Sequence, residues 1–231
     1  MIAHNLEKLK HSIAETARRC GRDENSIRLV AVSKRFPAEA VYEAHRAGHL
    51  LFGENYIQEA EEKFGVVDSE VRFHFIGHLQ TNKAKTAAEI FSMVETVDRK
   101  KLAVALNKHL TALGKNLDIL VQVNIGRDGN KSGADPADTR QLLEDIITLP
   151  MLRPRGLMTM PPFTEDPEDA RAYFRELRLL AESLAAKNLF SDNKNVELSM
   201  GMTNDYKVAI EEGATLVRIG TAIFGERPPK T

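Results

Sequence analysis

One cysteine, Cys20, in a chain of 231 residues leaves no partner for an intrachain disulfide and too few thiolates for a Cys-rich zinc site. Its setting, RRCGRD, is a charged segment at the end of a helical pattern, and no reactive role follows from it. Neither sign of charge predominates: 32 Lys and Arg stand against 33 Asp and Glu, a formal net charge of −1. There is thus no basic field to attract nucleic acid or an anionic membrane. No apolar run reaches the length that spans a bilayer. The opening MIAHNLEKLKHSIAETARRC carries charges throughout and lacks the apolar core of a signal peptide. A cytoplasmic location is expected. Missing as well are the GxGxxG and GxxxxGK[ST] loops that would follow a strand in a nucleotide-binding open sheet. No linker, internal repeat or low-complexity stretch divides residues 1–231, which read as one domain.

What remains is an ordinary globular composition, 42% hydrophobic and 28% charged. Residues 3–20 read as a helix, with Leu6, Leu9, Ile13 and Ala17 at three- and four-residue spacings. Strand patterns follow at 29–33, 50–53, 73–77, 92–97, 118–125, 153–158, 195–200 and 215–220, separated by helical windows. Asp135-Pro136 and Asp166-Pro167 have the form of an N-cap followed by a first-turn proline. Gly48 and Gly213 read as C-caps. Eight strands alternating with helices predict an α/β fold, a single (β/α)8 TIM-type barrel with an extra N-terminal helix. Only the end, roughly 222–231 with Pro228 and Pro229, looks weakly structured.

Barrels of this kind place chemistry at the C-terminal ends of their strands. The first strand, LVAVS, runs into Lys34. A strand-end lysine ordinarily reaches for water, so the other strand ends must decide its meaning. They bring Asn55, His78, Asn124, Thr159, Ser199 and Arg218 to the same rim. SMGMTNDY after the seventh strand and RIGTAIFG after the eighth each join glycine (Gly201, Gly220) to hydroxyl residues ahead of a turn or helix. Such turns either serve chain reversal alone or offer backbone N–H groups to an anion. The loops after strands seven and eight are where these barrels commonly hold phosphate. An amine facing a phosphate cradle fits a phosphorylated aldehyde held as a Schiff base. Pyridoxal 5′-phosphate (PLP) is that molecule. Arg218 adds weight, because a guanidinium inside TLVRIG is too costly to bury without a purpose.

VAVSK, FGENYIQEA, FHFIGHLQTNKAK, VNIGRDGNKSG, GLMTM, ELSMGMTNDY and VRIGTAIFG, in this order across nearly the whole chain, resemble the YggS/PROSC family, the pyridoxal phosphate homeostasis proteins. The resemblance implies the barrel of the alanine racemase N-terminal domain (fold type III), covalent PLP and no established turnover. It implies Lys34 as the Schiff-base lysine, Asn55 near the ring or its 3′-oxygen, and His78 and Met158 lining the pocket. It further implies Ser199, Gly201, Gly220 and Thr221 at the phosphate and Arg218 at the pyridine nitrogen. No metal and no catalytic residue are expected; apo-PLP enzymes would be recipients. Two departures from the family pattern are Arg35 after the lysine and Asp128 in RDGNKSG.

Other roles are open to several of these residues. Asn55 could cap the helix that follows, His78 could bond its own loop, and Met158 could be core filler. The competing function is a fold-type III amino-acid racemase or decarboxylase; a cofactor-free Schiff-base aldolase is a more distant one. Racemases of this fold take a second acid–base residue from an additional β-domain, which is not expected here. A monomer is expected accordingly.

Overall fold

The computed structural model describes residues 1–129 and 131–226. Eight parallel strands close on themselves in sequence order: β1 (Arg28–Val32), β2 (Leu51–Glu54), β3 (Arg72–Phe75), β4 (Met93–Val97), β5 (Leu117–Gln122), β6 (Leu152–Met158), β7 (Glu197–Ser199) and β8 (Leu216–Ile219). Closure is made by β1 against β8, with Val30 beside Arg218 and Ala31 beside Ile219. The fold is a TIM-type α/β barrel. Helices α1 (Ile2–Arg19), α2 (Ala38–Arg46), α3 (Ile57–Phe64), α4 (Ala84–Ile90), α5 (Lys100–Leu113), α6 (Thr139–Ile146), α7 (Arg171–Ala185), α8 (Tyr206–Glu211) and α9 (Thr221–Phe224) accompany the strands. None of the described helices is long and apolar enough to cross a membrane.

The period-2 alternation of each strand divides the core in two. Leu29, Ala31, Phe52, Phe73, Phe75, Val217 and Ile219 join the helix faces in a large outer cluster. Val30, Met93, Leu120, Met158 and Leu216 form a small apolar plug inside the barrel. Two residues beyond Met93 and Leu216 on the same strands come Glu95 and Arg218, so the interior turns polar towards its C-terminal end. On β4 the pairing with β5 advances three residues, Val94 to Val97, against two, Ile119 to Val121. This bulge lets both valines join the outer cluster. A bulge next to a site commonly re-aims a side chain.

Asp166 behaves as the sequence suggests: its carboxylate accepts from Glu168 N at 2.9 Å and opens the turn that leads into α7. Asp135 differs. It accepts from Ala137 N at 2.8 Å, but this closes a turn, and α6 begins only at Thr139. At the C-terminal end, 221–224 form α9 with Ile223 and Phe224 buried, where weak structure was expected from 222 onwards. Its anchor is α1, whose Asn5 Nδ2 donates to Ile223 O at 2.9 Å. That contact holds the Gly220–Thr221 turn over the barrel mouth. Residues 227–231, with Pro228 and Pro229, lie outside the described residues, as does Asn130 of the VNIGRDGNKSG segment.

Candidate cofactor site

At the C-terminal mouth of the barrel lies a cavity of about 230 Å³. Strand ends supply Val32, Lys34, Asn55, Ile76 and Arg218, and the loop after β6 supplies Met160, Pro162, Phe163 and Thr164. The loop after β7 adds Met202, Thr203, Asn204 and Asp205, and the turn after β8 adds Gly220 and Thr221. It is smaller than the roughly 300–1,000 Å³ common for drug-sized ligands, a size that suits one substituted aromatic ring.

Lys34 sits on a tight turn that is fastened on both flanks. Phe36 N donates to Ser33 O at 3.1 Å, and Arg35 adopts a left-handed φ of 66°. Arg35 N donates to Glu59 Oε2 at 2.7 Å. On the other flank, Lys63 Nζ donates to Ser33 O at 2.7 Å and to Glu54 Oε1 at 2.5 Å, while Ser33 Oγ donates to the same Glu54 oxygen at 2.6 Å. Glu54 and Lys63 are both buried. Burial pushes the Glu54 carboxyl up, opposed by the charge of Lys63. By geometry, Glu54 and Lys63 form a buried salt bridge behind the lysine turn.

Asn55 leaves the helix-capping role to its neighbour. Tyr56 stands at the N-cap of α3, without a side-chain cap. Asn55 Oδ1 is instead buried with no hydrogen-bond partner among the described residues. Its backbone is clamped: a Cβ on Gly77 would stand 2.2 Å from Asn55 O, so only glycine lets the end of β3 pack here. An unpartnered buried carbonyl oxygen costs free energy unless a ligand meets it. At the opposite rim, the Thr203 and Thr221 hydroxyls approach to 3.4 Å, joining the loops after β7 and β8. Gly201, at φ 92°, holds the loop close to α8; a Cβ there would lie 2.5 Å from Ala209 Cβ. Asp205 accepts from Met202 N at 2.6 Å. Burial pushes its carboxyl up, against that hydrogen bond and the charge of Arg218.

Arg218 forms the inner end of the cavity and part of a buried network. Nη1 donates to Ser199 Oγ at 2.6 Å and Nη2 to Thr159 O at 2.8 Å. Ser199 Oγ donates to Glu95 Oε2 at 2.5 Å, and the His74 ring meets Glu95 Oε1 through Nδ1 at 2.7 Å. Burial pushes the Glu95 carboxyl up, but the hydrogen bond and charge of His74, with Arg218 and Ser199, outweigh it and hold the group below its ordinary value. Burial also lowers the Arg218 guanidinium, opposed by Glu95 and Asp205; a guanidinium stays charged nonetheless.

The structure thus brings Lys34, Asn55, Arg218, Gly220 and Thr221 into one cavity. Gly201 adjoins it, next to Met202. Ser199 lies beneath it with its hydroxyl engaged, and Met158 belongs to the apolar plug. His78 opens onto an adjoining cavity of about 340 Å³ with Gln122, Lys131 and Ser132, and its Nδ1 lies 3.2 Å from Ser132 Oγ. The donors and acceptors present fit a phosphorylated pyridoxal: an amine, an unpartnered amide oxygen, a fixed guanidinium and a glycine–hydroxyl rim.

Comparison with known proteins shows the family. The model of the alanine racemase N-terminal domain family matches residues 4–228. Pyridoxal phosphate homeostasis proteins of Aquifex aeolicus and Pseudomonas aeruginosa are 41% and 45% identical, over 96% and 98% of this chain and 96% of each relative. The chain belongs to the pyridoxal phosphate homeostasis proteins. A solved structure of PipY from Synechococcus elongatus with PLP bound superposes with a TM-score of 0.87 at 35% identity, over 97% of this chain and 100% of that one.

Four residues to which the motifs assign no role, His74 and Glu54 within them and Glu95 and Lys63 outside them, carry the two buried networks of this family member. The cost argument that marks Arg218 applies equally to Glu95 inside MVETV and to His74 inside FHFIG. Applied to all three strands, it singles out His74, Glu95 and Arg218 together. Nothing in the sequence marks Lys63, which looks like any lysine near a helix end.

Proposed function

We propose that this chain binds PLP in the barrel mouth, attached covalently through Lys34 Nζ, and serves intracellular PLP homeostasis rather than substrate turnover. The observation that carries this reading is the convergence of Lys34, the unpartnered Asn55 Oδ1 and Arg218 in one cavity of about 230 Å³. Gly220, Thr221 and the loop positioned by Gly201 hold the phosphate. Ser199 orients Arg218 from below, Met158 packs in the apolar plug inside the barrel, and His78 edges the approach from the adjoining cavity. When bound, PLP supplies an aldehyde carbon that captures amines and a ring that can accept electrons. The domain, residues 1–231, works as a cytoplasmic monomer with apo-PLP enzymes as recipients, and without metal, nucleic acid or membrane.

Titration with PLP and with unphosphorylated pyridoxal, followed by visible absorbance, tests the reading. Two charge-assisted hydrogen bonds at about 1.5 kcal/mol or more each make PLP roughly 100-fold tighter or better. Equal affinity for the two would overturn the phosphate assignment.

Arg218 supports holding rather than turnover. A group that can only donate favours the neutral ring nitrogen and so weakens the electron sink that carbanion chemistry needs. The loaded protein is therefore expected to exchange the α-hydrogen of amino acids with deuterated solvent no faster than free PLP does. Rapid exchange that vanishes in Lys34→Ala, with accumulating product, would establish a racemase or decarboxylase instead.

A further inference from the structure

Arg218 meets the cavity as a buried cation, yet its counter-charge lies inside the barrel. Direction of hydrogen bonding fixes how the two are joined. The guanidinium can only donate, so Ser199 Oγ accepts from Nη1 at 2.6 Å, and the single hydroxyl hydrogen goes to Glu95 Oε2 at 2.5 Å. Glu95 is wholly buried and accepts at both oxygens, the second from His74 Nδ1 at 2.7 Å. With Nη2 tied to Thr159 O, two donors of the guanidinium are committed to β7 and to the residue following β6, and its plane is set.

We infer that Glu95 is a positioning residue for the ring end of the cofactor site: through Ser199 it holds Arg218 in place and supplies the negative charge that sets the potential at the inner end of the cavity. This rests on the PLP reading above. No motif points to Glu95 and it does not touch the cavity, so it would act only through Arg218. The charged and titratable groups around Arg218 are Glu95 on β4 and His74 on β3, Asp205 from the loop after β7 and Lys34 across the cavity. Of these, the carboxylate of Glu95 is joined to Arg218 through one hydroxyl. A glutamine at this position removes the charge and cannot accept from both Ser199 and His74 with its nitrogen end.

The test uses the full-length protein with PLP. The pH midpoint of the bound cofactor's visible band is compared in the parent, Glu95→Gln and Glu95→Asp proteins. An uncompensated cation at the ring end disfavours protonation of the cofactor's nitrogens, so Glu95→Gln is expected to lower the midpoint by about one pH unit. Glu95→Asp, which restores the charge, should return most of the shift. A structural role alone would reduce loading without moving the midpoint, and an unmoved midpoint overturns the inference. A parent protein that never develops the band overturns the PLP reading instead. Should Glu95→Gln fail to fold, Ser199→Ala removes the relay with both charges in place. Its midpoint should then move, and an unchanged one likewise overturns the inference. Without cofactor, Glu95→Gln and Arg218→Met should be non-additive in urea unfolding, the double variant losing less than the sum of the two. Additivity would sever the proposed link.

Discussion

Lys34→Ala protein incubated with PLP and reduced with borohydride is expected to carry no label on the peptide spanning residues 29–37, where the parent protein carries nearly all of it. The expectation follows from what the nearby amines are doing. Lys34 lines the cavity with Arg218 and Asn55. Lys63 is buried and donates to Glu54 and Ser33. Lys131 borders the adjoining cavity and donates to Pro161 O at 3.0 Å. An alanine cannot form the carbon–nitrogen bond, and neither neighbour reaches the site without giving up its own contacts. The phosphate rim is untouched by the substitution, so residual, non-covalent binding should survive with the spectrum of free aldehyde. Peptide mapping and the absorbance spectrum read the two components separately. Label found mainly at Lys131, or a visible band unchanged in Lys34→Ala, would move the attachment point elsewhere.

How far the sequence reveals this site depends on whether a residue's meaning is local. The barrel is legible because buried parallel strands read as apolar runs and each lies between helical patterns; all eight are found within a few residues of where the pattern places them. Arg218 is legible because a charge interrupts such a run. Lys34 is legible because it ends one. Ser199 and Met158 are harder: a strand residue near the rim can face cavity, interior or helix, and a one-residue change of parity decides which. Both turn inward, Met158 into the apolar plug and Ser199 into the network under Arg218. Asp135-Pro136 has the form of a helix start, yet the turn it closes comes first and α6 opens at Thr139. Glu54 and Lys63 are least legible of all. Their partnership appears only when α3 folds back on the end of β2 and brings the ammonium to 2.5 Å from the carboxylate.

That pair leads to the second large effect. Lys63→Met should destabilise the protein by about 3–5 kcal/mol, because it strands a buried carboxylate whose second oxygen already lacks a partner among the described residues. Replacing both members, Glu54→Leu with Lys63→Met, removes the desolvation cost together with the attraction, and buried pairs exchanged for apolar residues are often neutral in stability. The urea midpoint of the double variant should therefore return most of the way to that of the parent. Cofactor binding should not return with it. Ser33 O would lose the Lys63 donor and Ser33 Oγ would lose its acceptor, leaving one flank of the Lys34 turn held only by backbone contacts such as Ser33 N to Gly53 O at 3.1 Å. A turn free to shift by even an ångström spoils a covalent geometry that depends on orientation. PLP affinity of the double variant should thus fall roughly tenfold or more, at about 1.4 kcal/mol per decade. Recovery of both stability and affinity would mean that Lys63 and Glu54 serve folding alone. Recovery of stability without affinity would show that the buried pair exists to aim Lys34.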